Sequence, residues 1–386
     1  MLQVIAAIFI VIFFIPYTAS GFAACGKLFS SLFGVNYLTA MIISAIVIVA
    51  YTTLGGFLAA STTDFIQSII MSVALIVVLI FGVETAGGIG AVIHNASELP
   101  GYLSMTLSYD VNTGKAAPYS ALTIVSTAAW GLGYFGMPHI LLRFMAIEDE
   151  KKLKLSRRVA TIWVVISLFV AVFIGVIGYT MSKVGALEML TGSNSETIIV
   201  KISALLSQHG VIFALLAGVI LAGILASTMS TSDSQLLAAS SAVSSDILGA
   251  FRKDSSNKNG SMAAARITLL VISVVAAFIA RNPDSSVFAI VSFAWAGFGA
   301  AFGPVVLFSL FWKRTSKWGA LAGMVCGGSM VFIWKYLIRP LGGIWNIYEL
   351  LPAFLIACAA IVIVSLLTPK PSKEIEEEFD RVAQMK

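Results

Sequence analysis

Charged side chains are scarce in this sequence. Asp, Glu, Lys and Arg make up 11% of the 386 residues, whereas 59% of the residues are hydrophobic. A soluble domain uses about a quarter charged residues to cover its surface. The composition therefore excludes an ordinary soluble protein. The formal net charge of +5 comes from basic residues in short segments between apolar ones, a pattern that sets orientation in a bilayer and does not indicate nucleic-acid binding.

Cysteine and histidine are also rare, with three of each. The cysteines lie far apart, in or beside apolar segments, so their spacing predicts neither a disulfide framework nor a metal site. The full signatures of serine hydrolases, zinc proteases and phosphate-binding loops (G-x-S-x-G, H-E-x-x-H and G-x-x-x-x-G-K-[ST]) do not occur. An enzyme is therefore the weakest hypothesis for this chain.

Long apolar segments are abundant, and each is near the ~20 residues that cross a hydrocarbon core as a helix. A membrane β-barrel would instead have short segments of alternating hydrophobicity. We predict an all-α polytopic membrane protein, surrounded by lipid, with one transmembrane domain over 1–367 and a charged tail over 368–386. About ten crossings are expected, near 2–24, 36–58, 64–84, 119–147, 159–182, 210–245, 265–281, 286–312, 318–338 and 350–367.

Basic residues predict the orientation of these crossings. If the spans alternate strictly, 17 of the 24 Lys and Arg residues fall on the side of the C-terminal tail and seven on the other side. Because loops rich in Lys and Arg stay in the cytoplasm, we expect a cytoplasmic C-terminus in the cell membrane. The segments 85–118 and 184–208 then lie outside the cell. The tail reads as a solvated, charged end with a short helix.

One predicted span contains its own helix breakers. The stretch "WGLGYFGMPH" in 119–147 combines Pro138 with three glycines that favour bends: Gly131, Gly133 and Gly136. In lipid, a broken helix persists only where protein, water or ligand satisfies its backbone. Transporters place solute sites at such half-helix ends. We therefore predict a site closed by aromatic side chains such as Trp130 and Tyr134, and a kink that only helps packing is the alternative.

Pro138 suits the first turn of the second half-helix, whose positive end would attract a carboxylate. A second feature lies in 210–245, where four hydroxyl residues at i, i+3, i+4 and i+7 share one helix face: Ser227, Ser230, Thr231 and Ser234. Neutral oxygens of this kind suit a hard cation such as Na⁺. The alternative is that the hydroxyls bond back to their own helix or join helices.

Two carboxylates accompany the hydroxyl residues. Asp233 lies three residues after Ser230, and Asp64 lies at the start of the span 64–84. An ionisable residue within a span is costly and therefore a candidate functional residue. If the two carboxylates meet, a second cation lies between them or one of them is protonated, because close like charges do not both ionise.

Several of these motifs are similar to those of a known family. "WGLGYFGMPHILLRFMA", "GILASTMSTSDSQLL" and "SFAWAGFGAAFGPVVLFSLFW", with "FFIPYTASG" and "YTTLGGFLAASTTDFIQS", resemble the sodium:solute symporter family, in particular its bacterial proline carriers. The resemblance runs from residue 1 to about 370 in the same order. It implies a LeuT-type fold of two inverted five-helix repeats with flanking helices. It also implies that roughly three N-terminal family helices, one of them broken, are missing here.

The resemblance also implies roles for individual residues. The sodium site would be formed by Ser227, through its carbonyl, with Ser230 and Thr231. The proline pocket would be lined or supported by Tyr17, Trp130, Tyr134 and Pro138. Asp64 matches a carboxylate linked to sodium coupling and would face Asp233 and Ser234, which makes these three a candidate second cation or coupling site.

The expected function is sodium-coupled import of L-proline by alternating access. A symporter of the same family for another small carboxylate or amino acid is one alternative. A membrane sensor that binds a solute without moving it is the other, and the short tail argues against the kinase module that such relatives carry.

Overall fold

The computed structural model describes residues 1–251 and 258–384, and most of them are helical. The α-helices are α1 (Leu2–Phe33), α2 (Tyr37–Thr85), α3 (Ile89–Ser97), α4 (Ala121–Ala128), α5 (Pro138–Met145), α6 (Leu153–Lys183), α7 (Ile198–Ser207), α8 (Val211–Ser241), α9 (Leu248–Phe251), α10 (Lys258–Ile279), α11 (Val287–Phe311), α12 (Lys317–Ile333), α13 (Leu350–Leu367) and α14 (Lys373–Gln384).

Shorter elements join these helices. A hairpin of β1 (Leu107–Asp110) and β2 (Lys115–Pro118) lies between α3 and α4. Two π-helical turns extend α8 and α12, Ala242–Ile247 and Trp334–Ile338. The 3₁₀ turns are Ala129–Gly136, Glu150–Lys152, Gly192–Thr197, Arg339–Leu341 and Gly343–Trp345.

The apolar segments of the sequence correspond to the long helices of the structure. Within the described residues, nine helical stretches are long and apolar enough to cross a membrane. The remaining predicted span, 119–147, is the interrupted one. The α14 helix confirms the expected helix in the tail. All three cysteines are free.

One boundary prediction is wrong. The sequence predicts separate spans at 36–58 and 64–84, whereas α2 runs without interruption over 49 residues. Its two apolar stretches, Tyr37–Leu54 and Ser61–Thr85, are nevertheless both long enough to span. Two adjacent glycines are the strongest breakers between these stretches, and glycine alone costs a helix only about 1 kcal/mol per residue. Without a proline, the backbone keeps its helical hydrogen bonds.

Two apolar clusters hold the helices together. The larger surrounds α1, whose Phe13, Phe14 and Phe22 are fully buried and which packs against α2, α8, α10 and α11. The smaller lies between α2, α6, α7 and α8 and includes Ile177 and Ile220. Helix α8 contacts both clusters and therefore lies between the two groups of helices.

Small residues allow close helix contacts around α11. An added Cβ on Gly297 would overlap the Phe13 ring of α1, and one on Gly327 of α12 would overlap the carbonyl group of Ala300. Such contacts bring backbones together where lipid provides no hydrophobic drive for association. The small-residue pattern "AWAGFGAAFGPVV" thus serves packing.

Candidate functional site

The interrupted span breaks where the sequence predicts. Helix α4 ends at Ala128, the chain continues as the 3₁₀ turn Ala129–Gly136, and Met137 is extended (φ −80°, ψ 108°). Helix α5 then begins with Pro138 in its first turn. Proline lacks the N–H that an interior helical position must donate, and a first-turn position requires none. The predicted interruption is confirmed.

The glycines of the break also have a packing role, in addition to the bends that the sequence predicts. A Cβ on Gly136 would overlap the backbone of Phe298 and Gly303 in α11, and one on Gly133 would overlap the Trp295 ring. Nothing lies within 4 Å of a Cβ on Gly131. Two of the three glycines therefore let the broken span approach α11 closely, so the packing alternative accounts for much of this motif.

Aromatic side chains surround the first half of the break. Trp130 stacks on Trp295 at a centroid distance of 5.3 Å, and its carbonyl oxygen accepts a hydrogen bond from Trp295 Nε1 at 2.9 Å. Phe288 and Tyr348 also stack with Trp130. Tyr134 meets Trp295 edge-on at 4.8 Å and remains 40% exposed. Trp130 is thus held by protein partners, whereas Tyr134 has a free surface.

Tyr17 lies at the second half of the break. Its ring, 8% exposed in α1, is 6.1 Å from the ring of His139, the residue after Pro138. His139 also packs against Phe14, and its Nδ1 is buried without a hydrogen-bond partner among the described residues. The predicted solute residues therefore flank one interruption, with Trp130 and Tyr134 at its start and Tyr17 and Pro138 at its end.

The hydroxyl residues of α8 converge on one carbonyl. Ser227 O accepts hydrogen bonds from Ser230 Oγ at 3.1 Å and from Thr231 Oγ1 at 3.0 Å. These bonds are the back-bonding that the sequence left open as an alternative. They also bring the three predicted sodium ligands within contact of each other on a half-buried face. A hydroxyl that donates its hydrogen keeps two lone pairs for a cation, so the two interpretations are compatible.

The two carboxylates do meet, through an arginine. Arg143 of α5 forms a close ion pair with Asp64 Oδ2 of α2. The same Arg143 nitrogen donates to Ser234 Oγ at 2.9 Å, and Ser234 Oγ is 3.4 Å from Asp233 Oδ1. The cluster therefore ties α2, α5 and α8 together at one point.

The carboxylate pair is incompletely satisfied. Asp233 is fully buried, and the Asp64 side chain is 9% exposed. Asp64 Oδ1 and Asp233 Oδ2 are buried and have no hydrogen-bond partner among the described residues. Buried polar atoms in proteins are nearly always paired, so these two oxygens mark the cluster as a functional candidate.

Arg143 was not among the site residues predicted from the sequence, because its charge was assigned to a loop. A signal was present, since Arg143 lies inside the predicted span 119–147 and the rule that selected Asp233 applies to it equally.

A cavity lies next to this cluster. It has a volume of about 400 Å³ and is bordered by α5, α8 and the π turn that follows α8, with Arg143, His139, Ser234 and Ser244 in its wall. Between Ser234 and Ser244 the chain advances about 15 Å along the helix axis. The cavity therefore runs from the carboxylate cluster toward the end of α8.

A second carboxylate cluster lies in the predicted outer segment 184–208. Glu196 Oε2 accepts hydrogen bonds from Lys27 Nζ at 2.8 Å and from Val287 N at 3.1 Å. Its Oε1 accepts from Ser286 Oγ at 2.8 Å and from Phe288 N at 3.1 Å. Glu196 thus caps the N-terminus of α11, where a negative charge is favourable, and ties it to α1.

Comparison with known proteins decides the family. The model of the sodium:solute symporter family matches residues 1–327. The chain belongs to the sodium:solute symporter family. Because that family consists of transporters, this is a multi-pass membrane transporter and not an enzyme.

Curated relatives match almost the whole chain. The osmoregulated proline transporter of Bacillus subtilis is 38% identical over 97% of this chain and 72% of its own length. The sodium/proline symporter of Salmonella typhimurium is 38% identical over 98% of this chain and 72% of its own length. Sodium/proline symporter 2 of Staphylococcus saprophyticus is 37% identical over 100% and 73%. The chain therefore spans nearly three quarters of these relatives.

A solved structure shares the fold. A Na⁺-coupled sialic acid symporter in a substrate-bound, outward-open state superimposes with a TM-score of 0.72, covering 96% of this chain and 75% of that chain. The sequence identity is 16%, so the likeness concerns the fold alone. The expected LeuT-type architecture of a sodium:solute symporter is thereby confirmed.

Proposed function

We propose that this protein imports L-proline together with Na⁺ across the cytoplasmic membrane by alternating access. Relatives named as proline carriers, 37–38% identical over nearly the whole chain, support the choice of solute. The single observation that carries the coupling mechanism is the convergence of three neutral oxygens on one turn of α8, the helix that Arg143 of the interrupted span contacts at Ser234.

The solute would bind at the interruption. Tyr17, Trp130, Tyr134 and Pro138 are the proposed lining or supporting residues. Of these, Tyr134 offers the most exposed aromatic surface, which suits the small apolar ring of proline. The N-terminal end of α5 carries the positive end of its helix dipole, which favours the proline carboxylate. Trp130 acts through its stack with Trp295, which holds the start of the break in position.

The transported Na⁺ would bind to Ser227 O, Ser230 Oγ and Thr231 Oγ1. A hard cation takes about six oxygen ligands, so this turn supplies part of the coordination. Neutral ligands let the ion carry its own charge through the cycle. An inward membrane potential then drives the loaded carrier by about 2.3 kcal/mol per charge per 100 mV.

Coupling would pass through the carboxylate cluster. Asp64, Asp233 and Ser234 lie where α2 and α8 meet α5, the second half of the interrupted span. Sodium bound on α8 can therefore influence the shape of the solute site, and its binding energy favours the state that accepts proline. In this proposal 1–367 is one transmembrane domain, and the tail over 368–386 lies in the cytoplasm.

Labelled-proline uptake into proteoliposomes tests the function. Uptake should require an inward Na⁺ gradient. The variants Ser230→Ala and Thr231→Ala should each raise the Na⁺ concentration for half-maximal uptake by about tenfold or more, a loss of about 1.4 kcal/mol of binding free energy. Ser203→Ala is the matched control, because Ser203 Oγ bonds to Ile199 O within α7 in the same way. It should leave the Na⁺ dependence unchanged.

Two results would count against the proposal. Unchanged half-saturation for Na⁺ in both α8 variants would remove the sodium site from this turn. Counterflow of a different labelled solute, with none of proline, would assign another substrate to the carrier.

A further inference from the structure

Arg143 occupies the place where a second cation was expected. Its guanidinium lies between Asp64 of α2 and Ser234 of α8, and Ser234 links it to Asp233. The contacts are those that a small cation would make, namely a carboxylate oxygen on one side and a hydroxyl oxygen on the other. The cation found at this position belongs to the chain itself.

Burial favours a compensating positive charge here. Two carboxylates that are nearly or fully inaccessible face each other within a span, and removing one member of such a buried charge group leaves the other uncompensated. An arginine is suited to the position because its guanidinium keeps its charge and donates in several directions from one plane. A bound Na⁺ at the same place would have to displace the guanidinium.

We propose that Arg143 is a tethered cation that neutralises Asp64, fills the space beside Ser234 and thereby excludes a second Na⁺ from the Asp64–Asp233 pair. The inference rests on the proposed function for the Na⁺ bound at Ser227, and it adds that the number of bound Na⁺ is set by this arginine. Arg143 is in this sense a specificity-determining residue for ion stoichiometry, and it acts through Asp64 and Ser234.

The position of Arg143 allows its guanidinium to act as a cation that can move. It projects from α5, which is only eight residues long and begins at the break, and its side chain is 46% exposed along the wall of the cavity. The guanidinium therefore has room to leave the carboxylates when α5 shifts. Asp64 and Asp233 belong to long helices that are fixed in the two apolar clusters, so the cation is the mobile member of the group.

Equilibrium binding of ²²Na⁺ to the purified protein in detergent, without proline, tests the inference. Arg143→Gln should bind one Na⁺ more per molecule than the unaltered protein, because the carboxylate pair is then free to take an ion. Arg143→Lys and the exposed-arginine control Arg157→Gln should match the unaltered protein. The double variant Asp64→Asn, Arg143→Gln should also match it, because the pair no longer exists.

If Arg143→Gln does not fold, the variant Asp64→Asn tests the same inference. Asp64→Asn should leave the number of bound Na⁺ unchanged, because Asp64 is paired with Arg143 and not with a transported ion. Loss of one bound Na⁺ in Asp64→Asn overturns the proposal. So does an unchanged count in folded Arg143→Gln between pH 6 and pH 8.5.

These outcomes are separate from those of the proposed function. If the unaltered protein shows no Na⁺-dependent proline uptake, the proposed function fails. The difference in bound Na⁺ between Arg143→Gln and the unaltered protein still decides the role of the arginine.

Discussion

Two carboxylates of this molecule, Glu196 and Asp64, are each paired with a cation from another helix, yet their surroundings differ. Glu196 has both oxygens saturated by Lys27, Ser286 and two backbone N–H groups. Asp64 has one oxygen on Arg143 and the other without a partner among the described residues, and its neighbour Asp233 also has an unpaired oxygen. One cluster is complete and the other is not.

The difference separates a structural role from a functional one. A saturated carboxylate at a helix N-terminus has no remaining capacity for a ligand, so the Glu196 cluster holds α11 and α1 in register. An unsaturated carboxylate pair beside a cavity has spare acceptors in a place where spare acceptors are costly. Such a cost is typical of a functional site, and here it accompanies a cation, Arg143, that the chain itself supplies.

Removing the cation from each cluster is the strongest test of this comparison. Arg143→Ala should lower the free energy of unfolding by about 3–5 kcal/mol in Na⁺-free buffer, because it leaves buried carboxylates uncompensated. Lys27→Ala should cost only about 1 kcal/mol, because Glu196 keeps three hydrogen bonds. Thermal unfolding in detergent, followed by tryptophan fluorescence, measures both. Equal losses would contradict the distinction between the clusters.

Besides Arg143, the close contact of Gly136 with α11 should hold α5 in position. Gly136→Ala forces a methyl group onto the backbone of α11 and should cost about 1–3 kcal/mol. Gly131→Ala is the matched control, since its Cβ meets nothing within 4 Å, and should change stability by no more than about 0.5 kcal/mol. The same unfolding assay applies. If both glycines tolerate alanine equally, the close contact with α11 is not what holds the break.

The smallest expected effect concerns the pKa of Glu196. Burial pushes this pKa upward, but the Lys27 ammonium and the hydrogen bonds from Ser286, Phe288 and Val287 outweigh burial and lower it below the ordinary 4.5. Because the folded-state pKa is the lower one, the cluster stabilises the protein above pH 4.5 and loses this contribution as the pH falls through the folded-state value.

The corresponding measurement compares the unaltered protein with Glu196→Gln. The stability difference, about 1 kcal/mol, should be constant from pH 8 to pH 5 and shrink below pH 4.5. A difference that instead disappears between pH 8 and pH 6 would mean that another group controls the cluster.

Much of the architecture could be predicted because it depends on local rules. Span positions follow from apolar length, and the break at Pro138 follows from a missing N–H. The continuity of α2 could not be predicted, because a glycine pair permits a bend without requiring one. Helical periodicity identified the hydroxyl face of α8, the family resemblance singled out Ser227, Ser230 and Thr231 on it as sodium ligands, and that role stays a proposal.

The partners of the site residues were harder to predict. The glycines of the break suggested a ligand, yet Gly133 and Gly136 face α11. Asp233 follows Ser230 by three residues, which places it near the same helix face, but Asp233 is fully buried whereas Ser230 is half-buried. Periodicity gives the face of a helix to within a wide angle and does not say which neighbour covers that face.

The amino-acid sequence alone determined three properties of this chain. It is a membrane protein, one of its spans is interrupted at a known position, and certain hydroxyl side chains share one helix face. These properties depend on residues within a few turns of one another. Only the tertiary structure decided that Arg143 meets Asp64, 79 residues away, and that Glu196 caps a helix about 90 residues further on. Such pairs depend on which helix faces pack together, and this packing is determined by the burial of apolar surface across the whole helix bundle.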